Sequence, residues 1–591
     1  MDRAENGIIT RKLFQNTMLT MLAAELSGAL TAVIDGVITG RFLGAMELAA
    51  HGIGTPYFSI ASIISGILMV GCTALCTRAV GRGDKEETTR VFSLTILLGT
   101  VLSVLLALIG TVFAGKLASA FGARGASAAL HAETTSYLHG VFIGAPGFIL
   151  FVILTPILQL DGDSLRPKLA SAVMAVVDVA GDLLNVFVLH GGMFGMGLAS
   201  SISHYAALIV LLTHFLRGSS LFRFSLHGIQ LKMAPMLMRD GLPRAASMLC
   251  RGLLPIFLNS LALKLAGDLG VTAFSAMNST TFVIGSLGWA IGGAVLIMGG
   301  MTVGEQDVHG LENVVRTALY DILIWVVLIA VIVLTAAPLL AVLFIPDEPD
   351  ACAMAVTAIR CYAAALPFLA FNVSGANYFQ AISRIKAAYL VNICIEFACT
   401  ACMAFILQVF FGITGLWLAF PIGQGLLCFV IILCAVLRRS ADREGLAACM
   451  MLPADFGVPD KDCIERSIHS MEEVVAMSVD VGAFCAAHAF GKKESSRLAL
   501  CIEEMAGNVI EHGFSDGKPH HLDVRVLVKN EQIVLRLRDD CRLFDLSKKV
   551  KDWSFDPEHP EHNIGIRMVM HAAKDIAYTN TMNMNNLIVK I

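Results

Sequence analysis

Three aspartates stand where an aspartate is costly. Asp35 interrupts the apolar run Ala32-Val33-Ile34-Asp35-Gly36, and Asp178 and Asp182 lie four apart in a second apolar run. Residues four apart share one face of a helix, and Asn185 continues that face. A charge at mid-bilayer costs roughly 2.5–3.5 kcal/mol on insertion scales, so such exceptions carry information. Carboxylates crowded in a low-dielectric site cannot all stay ionised. The set can exchange a proton, or take a hard cation such as Na+, which prefers oxygen ligands. Glu25, Asp321 and Glu396 also fall within apolar runs, and for Asp321 and Glu396, each standing alone, tying helices together is the simpler role. A second constellation lies near the C-terminus, where Glu504 and Asn508 share a helix face in Cys501-Ile502-Glu503-Glu504-Met505-Ala506-Gly507-Asn508. An acid there can position or deprotonate a water or hydroxyl, and an amide oxygen can hold Mg2+ beside phosphates. Alone the pair is a weak signal. It is followed by Arg538-Asp539-Asp540-Cys541 after a strand pattern, and by Asn563-Ile564-Gly565-Ile566-Arg567 opening a helix.

The elements that position these residues differ in kind. The chain has 591 residues, 56% hydrophobic and 15% charged. Residues 1–440 hold 48 of its 90 charged side chains and residues 441–591 hold 42, about 11% and 28% of each stretch. Soluble proteins carry about 25%. The first part is therefore a membrane domain and the second a soluble one. The 43 Lys and Arg against 47 Asp and Glu leave no basic excess, which disfavours nucleic acid as a partner. Twelve apolar stretches long enough to span a bilayer run from about residue 13 to 437. With the N-terminus in the cytoplasm, 20 Lys and Arg fall on cytoplasmic loops and 5 on outer ones. The positive-inside rule then places both termini and the soluble tail in the cytoplasm, with the chain multi-pass in the cytoplasmic (inner) membrane.

The membrane part repeats itself. Val80-Gly81-Arg82-Gly83-Asp84 recurs as Val303-Gly304-Glu305-Gln306-Asp307, Pro146 and Gln159 as Pro367 and Gln380, and Gly192, Gly195 and Ala199 as Gly412, Gly415 and Ala419. The offsets are 220 to 223 residues. This predicts two six-helix repeats, about 10–217 and 235–438, with substrate between them. Residues 441–459 read as a linker. Residues 460–591 read as an α/β domain: a helical stretch over 461–490, a helix over 494–512, strands over 521–528 and 532–538, a helix over 564–574 and a last strand over 587–591. The fifteen cysteines are scattered, and Cys399-x-x-Cys402 lacks the further ligands that a zinc site needs.

Residues 10–437 resemble the multidrug and toxic compound extrusion (MATE) transporters, in spans, duplication and the segment Gly192-Met193-Phe194-Gly195-Met196-Gly197-Leu198-Ala199-Ser200. The resemblance implies a cation site in the first half made by Asp35, Asp178, Asp182 and Ser200, where Asp178 replaces the family's Asn. It implies an antiporter, coupled to H+ or Na+, that exports small organic or cationic compounds. The tail resembles the GHKL ATP-binding fold, the compact anti-sigma-factor serine kinases in particular. That likeness implies Mg-ATP as cofactor, with Glu504 as base, Asn508 as Mg2+ ligand, Asp539 reading the adenine amino group and Gly565 letting backbone approach phosphate. It also implies a cytoplasmic protein partner. Cys541 and Asn563 replace two of that family's glycines, and a side chain where backbone must meet nucleotide weakens binding or slows turnover. Transport is thus the main activity, and whether the tail is also a serine kinase or ATPase stays open. The alternative is a membrane sensor with a transporter-like input domain and a kinase-like output domain. ATP does not drive transport directly, because no Gly-x-x-x-x-Gly-Lys-Ser/Thr phosphate loop occurs.

Overall fold

A computed structural model describes residues 2–591 apart from 124–126, 218–219, 226–228, 346–347, 454–455, 517–519, 530–531, 542–563 and 582–583. The first half is built from α1 (Asp2–Ile38), α2 (Pro56–Gly81), α3 (Lys85–Val112), α4 (Ala128–Ile143), α5 (Ala145–Leu160), α6 (Leu165–Leu184) and α7 (Gly192–Leu212). The second half is built from α8 (Ala234–Ile284), α9 (Ser286–Gly304), α10 (Val308–Asp321), α11 (Val327–Phe344), α12 (Pro349–Ala381), α13 (Ile385–Ile393) and α14 (Cys399–Leu437). Their outward faces carry bare apolar side chains, such as Leu108 and Val112 of α3 and Leu339 and Leu343 of α11. Lipid, not water, is the solvent such faces require.

Among the described residues nine helices are long and apolar enough to cross a membrane, or ten if α4 and α5, bent by 46°, form one broken span. α1, which carries the first of the twelve expected spans, is outside that count, and some expected spans run together without a loop between them. α8 runs through Gly267 (φ 58°, ψ −148°) and α14 through Gly412 (φ 56°, ψ −134°), backbone that no helix adopts. At each the chain doubles back so tightly that a Cβ on Gly270 would lie 2.8 Å from Ala262 O, and one on Gly415 2.2 Å from Leu407 O. No loop separates the two spans at either turn.

The duplication is written in the backbone as well as in the sequence. Gly83 (φ 73°) and Gln306 (φ 54°), Gly162 (φ 79°) and Ser383 (φ 62°), and Gly192 and Gly412 (both φ 56°) are matched left-handed turns. Asp84 and Asp307 then cap α3 and α10 in the same way, accepting from Glu87 N and Gly310 N at 2.9 Å each. At one end of the bundle the halves are locked together. Arg78 of α2 pairs with Asp240 of α8 and donates to Ser383, both in the second half. Close glycine packing accompanies this, since a Cβ on Gly71 would meet Leu237 O at 2.3 Å and one on Gly81 would meet Met301 O at 2.2 Å.

The segment after α14 packs against the bundle at that end: Ala447, Ala448 and Met450 are buried, and Tyr378 Oη donates to Met450 O at 2.7 Å. The C-terminal domain follows as a five-stranded antiparallel sheet in the order β1-β2-β3-β5-β4, with β1 Cys463–Ile468, β2 Leu522–Lys529, β3 Gln532–Asp539, β4 Asp575–Thr581 and β5 Met584–Lys590. α15 (Met471–Ala487), α16 (Lys492–Asn508) and α17 (Ile564–Ala572) cover one face, burying Leu522, Val524, Leu535, Leu537 and Val589. Two sequence expectations need correction. The stretch 461–490 is not all helix, because β1 precedes a helix that starts only after Ser470. Ser470 Oγ accepts from Glu473 N, and Glu473 accepts from His469 N at 2.7 Å, so side chains satisfy the backbone on both sides of the helix start. Strand β4 has no counterpart in the sequence expectation, and it completes the sheet edge beside β5.

Candidate functional site

The three aspartates converge. Asp35 sits near the C-terminal end of α1 and faces both Asp178 and Asp182 of α6. All three are buried. Ser27 Oγ on α1 donates to Ser171 O on α6 at 2.7 Å, which fixes the two helices against each other. Gly181, between the two α6 aspartates, lets α7 close in: a Cβ there would lie 2.9 Å from that of Ala199. Ser203 Oγ of α7 lies 3.0 Å from Asp178 Oδ1. Asp35 Oδ1 and both oxygens of Asp182 are buried with no hydrogen-bond donor among the described residues. A buried ionised carboxylate without donors is strongly unfavourable, so this geometry calls for a proton or a cation between the carboxylates. Tyr137, whose hydroxyl is likewise buried without a hydrogen-bond partner among the described residues, lies near all three aspartates, with His51 5.1 Å from it ring to ring.

Ser200 takes a smaller part than expected. Its hydroxyl turns back to Met196 O at 3.5 Å, and Ser203, one turn on, supplies the hydroxyl beside Asp178. Asn185 is a clamp rather than a ligand. Its Oδ1 accepts from Gly191 N and its Nδ2 donates to Gly192 O, both at 3.0 Å, holding the turn between α6 and α7. A Cβ on Gly195 would fall 1.8 Å from Asn185 Oδ1. Gly195→Ala is therefore expected to break this clamp, costing about 1–3 kcal/mol. A lower melting temperature of the purified protein checks it, and an unchanged one contradicts it.

Among the described residues of the second half, the carboxylates in the spans stand apart from one another. Glu396 is nevertheless not alone: Arg251 Nη2 donates to Glu396 Oε1 at 2.9 Å and Ser247 Oγ to the same oxygen at 3.0 Å. Arg244 and Arg251 lie over Trp289 at 5.0 and 4.4 Å. Glu25, Arg251, Trp289, Tyr362 and Glu396 line a cavity of about 190 Å³. Asp321 accepts from Gln15 Nε2 at 3.3 Å and so ties α10 to α1.

In the C-terminal domain Glu504 and Asn508 lie on the last turns of α16, both half-buried. Asp539 ends β3, where its Oδ1 accepts from Asn585 Nδ2 at 2.7 Å and from Cys541 N at 3.1 Å. Burial pushes the Asp539 carboxyl up, while these two donors act the other way. The turn after α16 reaches the same place, because a Cβ on Gly513 would stand 2.7 Å from Cys541 Sγ. Cys541 thus packs against the helix-end turn instead of leaving open backbone. The oriented carboxylate of Asp539 can accept from an amino group, and the Asn508 amide oxygen at the end of α16 can ligate a cation. Gly565 is the second residue of α17, which packs on α16. Asn563, Arg542 and Asp545 lie outside the described residues.

A two-lobed helical bundle with lipid-facing exteriors and a carboxylate cluster buried in one lobe defines a multi-pass membrane carrier, here joined to an ATPase-like domain. Residues 21–184 and 243–406, together more than half the chain, match the sequence model of the MatE family, and residues 469–591 match that of the histidine kinase-like ATPase domain. The chain belongs to the MatE family. The multidrug export protein MepA of Staphylococcus aureus (strain MSSA476) is 23% identical over 422 residues, which span 70% of this chain and 91% of that protein. MepA of Staphylococcus saprophyticus is 28% identical over 204 residues, 34% of this chain and 44% of that protein. Among solved structures, an outward-facing multidrug resistance MATE family transporter of the MOP superfamily superposes with a TM-score of 0.67 at 22% identity, over 71% of this chain and 94% of that one. A MOP superfamily transporter from Pyrococcus furiosus superposes with 0.66 at 21% identity, over 71% and 94%.

Proposed function

We propose that the protein is a cation-coupled antiporter that exports organic compounds across the cytoplasmic membrane, with both termini and the ATPase-like domain in the cytoplasm. Asp35, Asp178 and Asp182 carry the coupling ion, H+ or Na+, with Ser200 and Ser203 beside them. The observation that supports this most is Asp182, buried with neither oxygen given a donor among the described residues and facing Asp35. Cation entry would satisfy these oxygens, and its release would leave them exposed to one another. The multidrug export proteins to which the chain is similar suggest organic, cationic or xenobiotic compounds as cargo. The C-terminal domain binds Mg-ATP and regulates the carrier, with Asp539 on the base, Asn508 on the metal, Glu504 as candidate base, and a cytoplasmic protein as a further partner. When bound, Mg-ATP would supply a transferable phosphoryl group; Asp539 and Asn508 would hold and orient it, and Glu504 would take the proton of the attacking hydroxyl or water.

Adding a transported cation to detergent-solubilised protein in weakly buffered medium should release the coupling ion. A pH dye reports H+, and a sodium-selective probe reports Na+. Release of neither, with substrate demonstrably bound, removes the coupling assignment. Mg-ATP binding and phosphorylation of a partner without any flux would favour the sensor instead.

A further inference from the structure

Neither ion coupling nor nucleotide recognition uses the second face of the C-terminal sheet. Side chains alternate across a strand. On β2, Val524 and Val526 turn to the helices and Arg525 turns away; on β3, Leu535 and Leu537 turn to the helices and Arg536 and Arg538 turn away. Arginines on such a face are ordinarily solvated, yet Arg525 and Arg536 are only 8% and 9% exposed. They are covered by the ends of α2 and α9. Arg536 Nη2 donates to Gly81 O at 2.8 Å, and its Nη1 stands 2.8 Å from Glu305 Oε1. Arg538 Nη2 pairs with the same Glu305 oxygen, and Arg525 Nη1 lies 3.4 Å from Asp307 Oδ2. Ile588 of β5 reaches Gly83, where a Cβ would lie 2.9 Å from its Cδ1. Burial alone would raise the Asp307 carboxyl, but Arg525 and the Gly310 N–H hold it below the usual range.

Gly81 and Gly83 belong to the first repeat, Glu305 and Asp307 to the second, and they are the corresponding loops of the duplication. One guanidinium, Arg536, therefore touches both lobes. It does so where the lobes are in contact, since a Cβ on Gly81 would fall 2.9 Å from Gly304 Cα. A carrier that exchanges access must part its lobes at this end, and parting them separates Gly81 O from the Glu305 carboxylate. A planar guanidinium cannot keep both partners once they move apart.

We propose that the C-terminal sheet is a latch: docked, Arg536 ties the Gly81 loop to the Glu305 loop and holds the carrier closed at the end that bears the domain, so opening there requires undocking. The same strands reach the proposed nucleotide end. Asn586 Oδ1 accepts from Arg538 Nε at 2.8 Å on the latch face, and the adjacent Asn585 holds Asp539 on the other. A nucleotide at Asp539 therefore acts on the strand pair that carries the latch. This link rests on the regulatory reading of the domain, whereas the docking contacts do not. Absent Mg-ATP binding would end that reading and leave the latch; an unaltered gate in latch variants would end the latch and leave that reading.

The test uses the full chain in lipid nanodiscs. Ala74 of α2 is fully buried against Leu296 of α9 and Ala381 of α12, and it becomes reachable only when these helices part. Maleimide labelling of Ala74→Cys, resolved from neighbouring Cys72 and Cys76 by peptide mass spectrometry, reads opening. Ala358→Cys, buried in a separate core, reports general loss of fold. Arg536→Gln, on the sheet, and Glu305→Gln, on the loop, are each expected to raise labelling at Ala74→Cys about tenfold, with Ala358→Cys unchanged. The double variant should add little, because both changes cut one link. Should Arg536→Gln not fold, Glu305→Gln leaves the sheet intact and decides alone. Labelling within about twofold of the parent in the folded variants overturns the latch.

Discussion

Asp182→Asn is expected to reduce gradient-driven export about 5- to 150-fold, the span typical of a coupling free energy between two sites. The change keeps size and shape. It removes no hydrogen bond, because neither oxygen of Asp182 has a donor among the described residues, so folding should survive. What it removes is the ability to take a proton or neutralise a cation next to Asp35 and Asp178. Flux should then become nearly indifferent to the imposed gradient while substrate still binds. Everted membrane vesicles reporting dye accumulation with and without the gradient give the ratio directly. Asp321→Asn is the matched control: Asp321 bonds Gln15 across α1 and α10, away from the cluster, and its loss should leave that ratio unchanged. Equal effects of the two substitutions would mean that the cluster has no special role.

Asp539→Asn is expected to weaken Mg-ATP binding roughly 10- to 150-fold, the equivalent of about 1.5–3 kcal/mol for a hydrogen bond to a charged group. Asp539 accepts from Asn585 and from Cys541 N on one side. An amide in its place can still satisfy those donors through its oxygen, but then presents its NH2 to an adenine amine, donor against donor. Ala at this position would be a poorer test, since it would leave the Asn585 amide and a backbone N–H buried without their acceptor. Because burial raises the Asp539 carboxyl, protonation removes the acceptor at higher pH than for an ordinary aspartate. Affinity should therefore be full above that raised value and fall as pH falls through it, and Asp539→Asn should abolish this pH dependence. Calorimetric titration of the full-length protein measures both. Undiminished affinity in the variant would displace Asp539 from the adenine.

Much of this molecule is legible before folding. Lipid leaves little choice for a backbone, so apolar runs become helices, and an aspartate inside one must have a reason. That is why Asp35, Asp178 and Asp182 stand out unaided. The duplication is legible because matched turns need matched chemistry, as Gly192 and Gly412 share φ 56°. What stays hidden depends on how helices rotate against each other. Ser203 rather than Ser200 meets Asp178 because Gly181 admits α7 at one particular angle, and nothing in the run of residues 192–203 states that angle. Glu396 looks solitary because its partner, Arg251, is 145 residues away. β1 reads as helix in the sequence because Cys463–Ile468 is short and its outward residues are polar, although Ser470 and Glu473 mark the true helix start. The three latch arginines were hidden for the opposite reason: Arg525, Arg536 and Arg538 alternate with core residues as any solvated sheet face does, and only a second domain makes them interior.

The most direct measurement is transport by purified protein in ATP-free proteoliposomes, with an H+ or Na+ gradient as the only energy source. An organic cation should move against its own gradient, and Asp35→Asn should abolish that movement without abolishing substrate binding. Movement that ignores both gradients, that requires ATP, or that persists undiminished in Asp35→Asn would contradict a cation-coupled carrier driven from its first-half carboxylates.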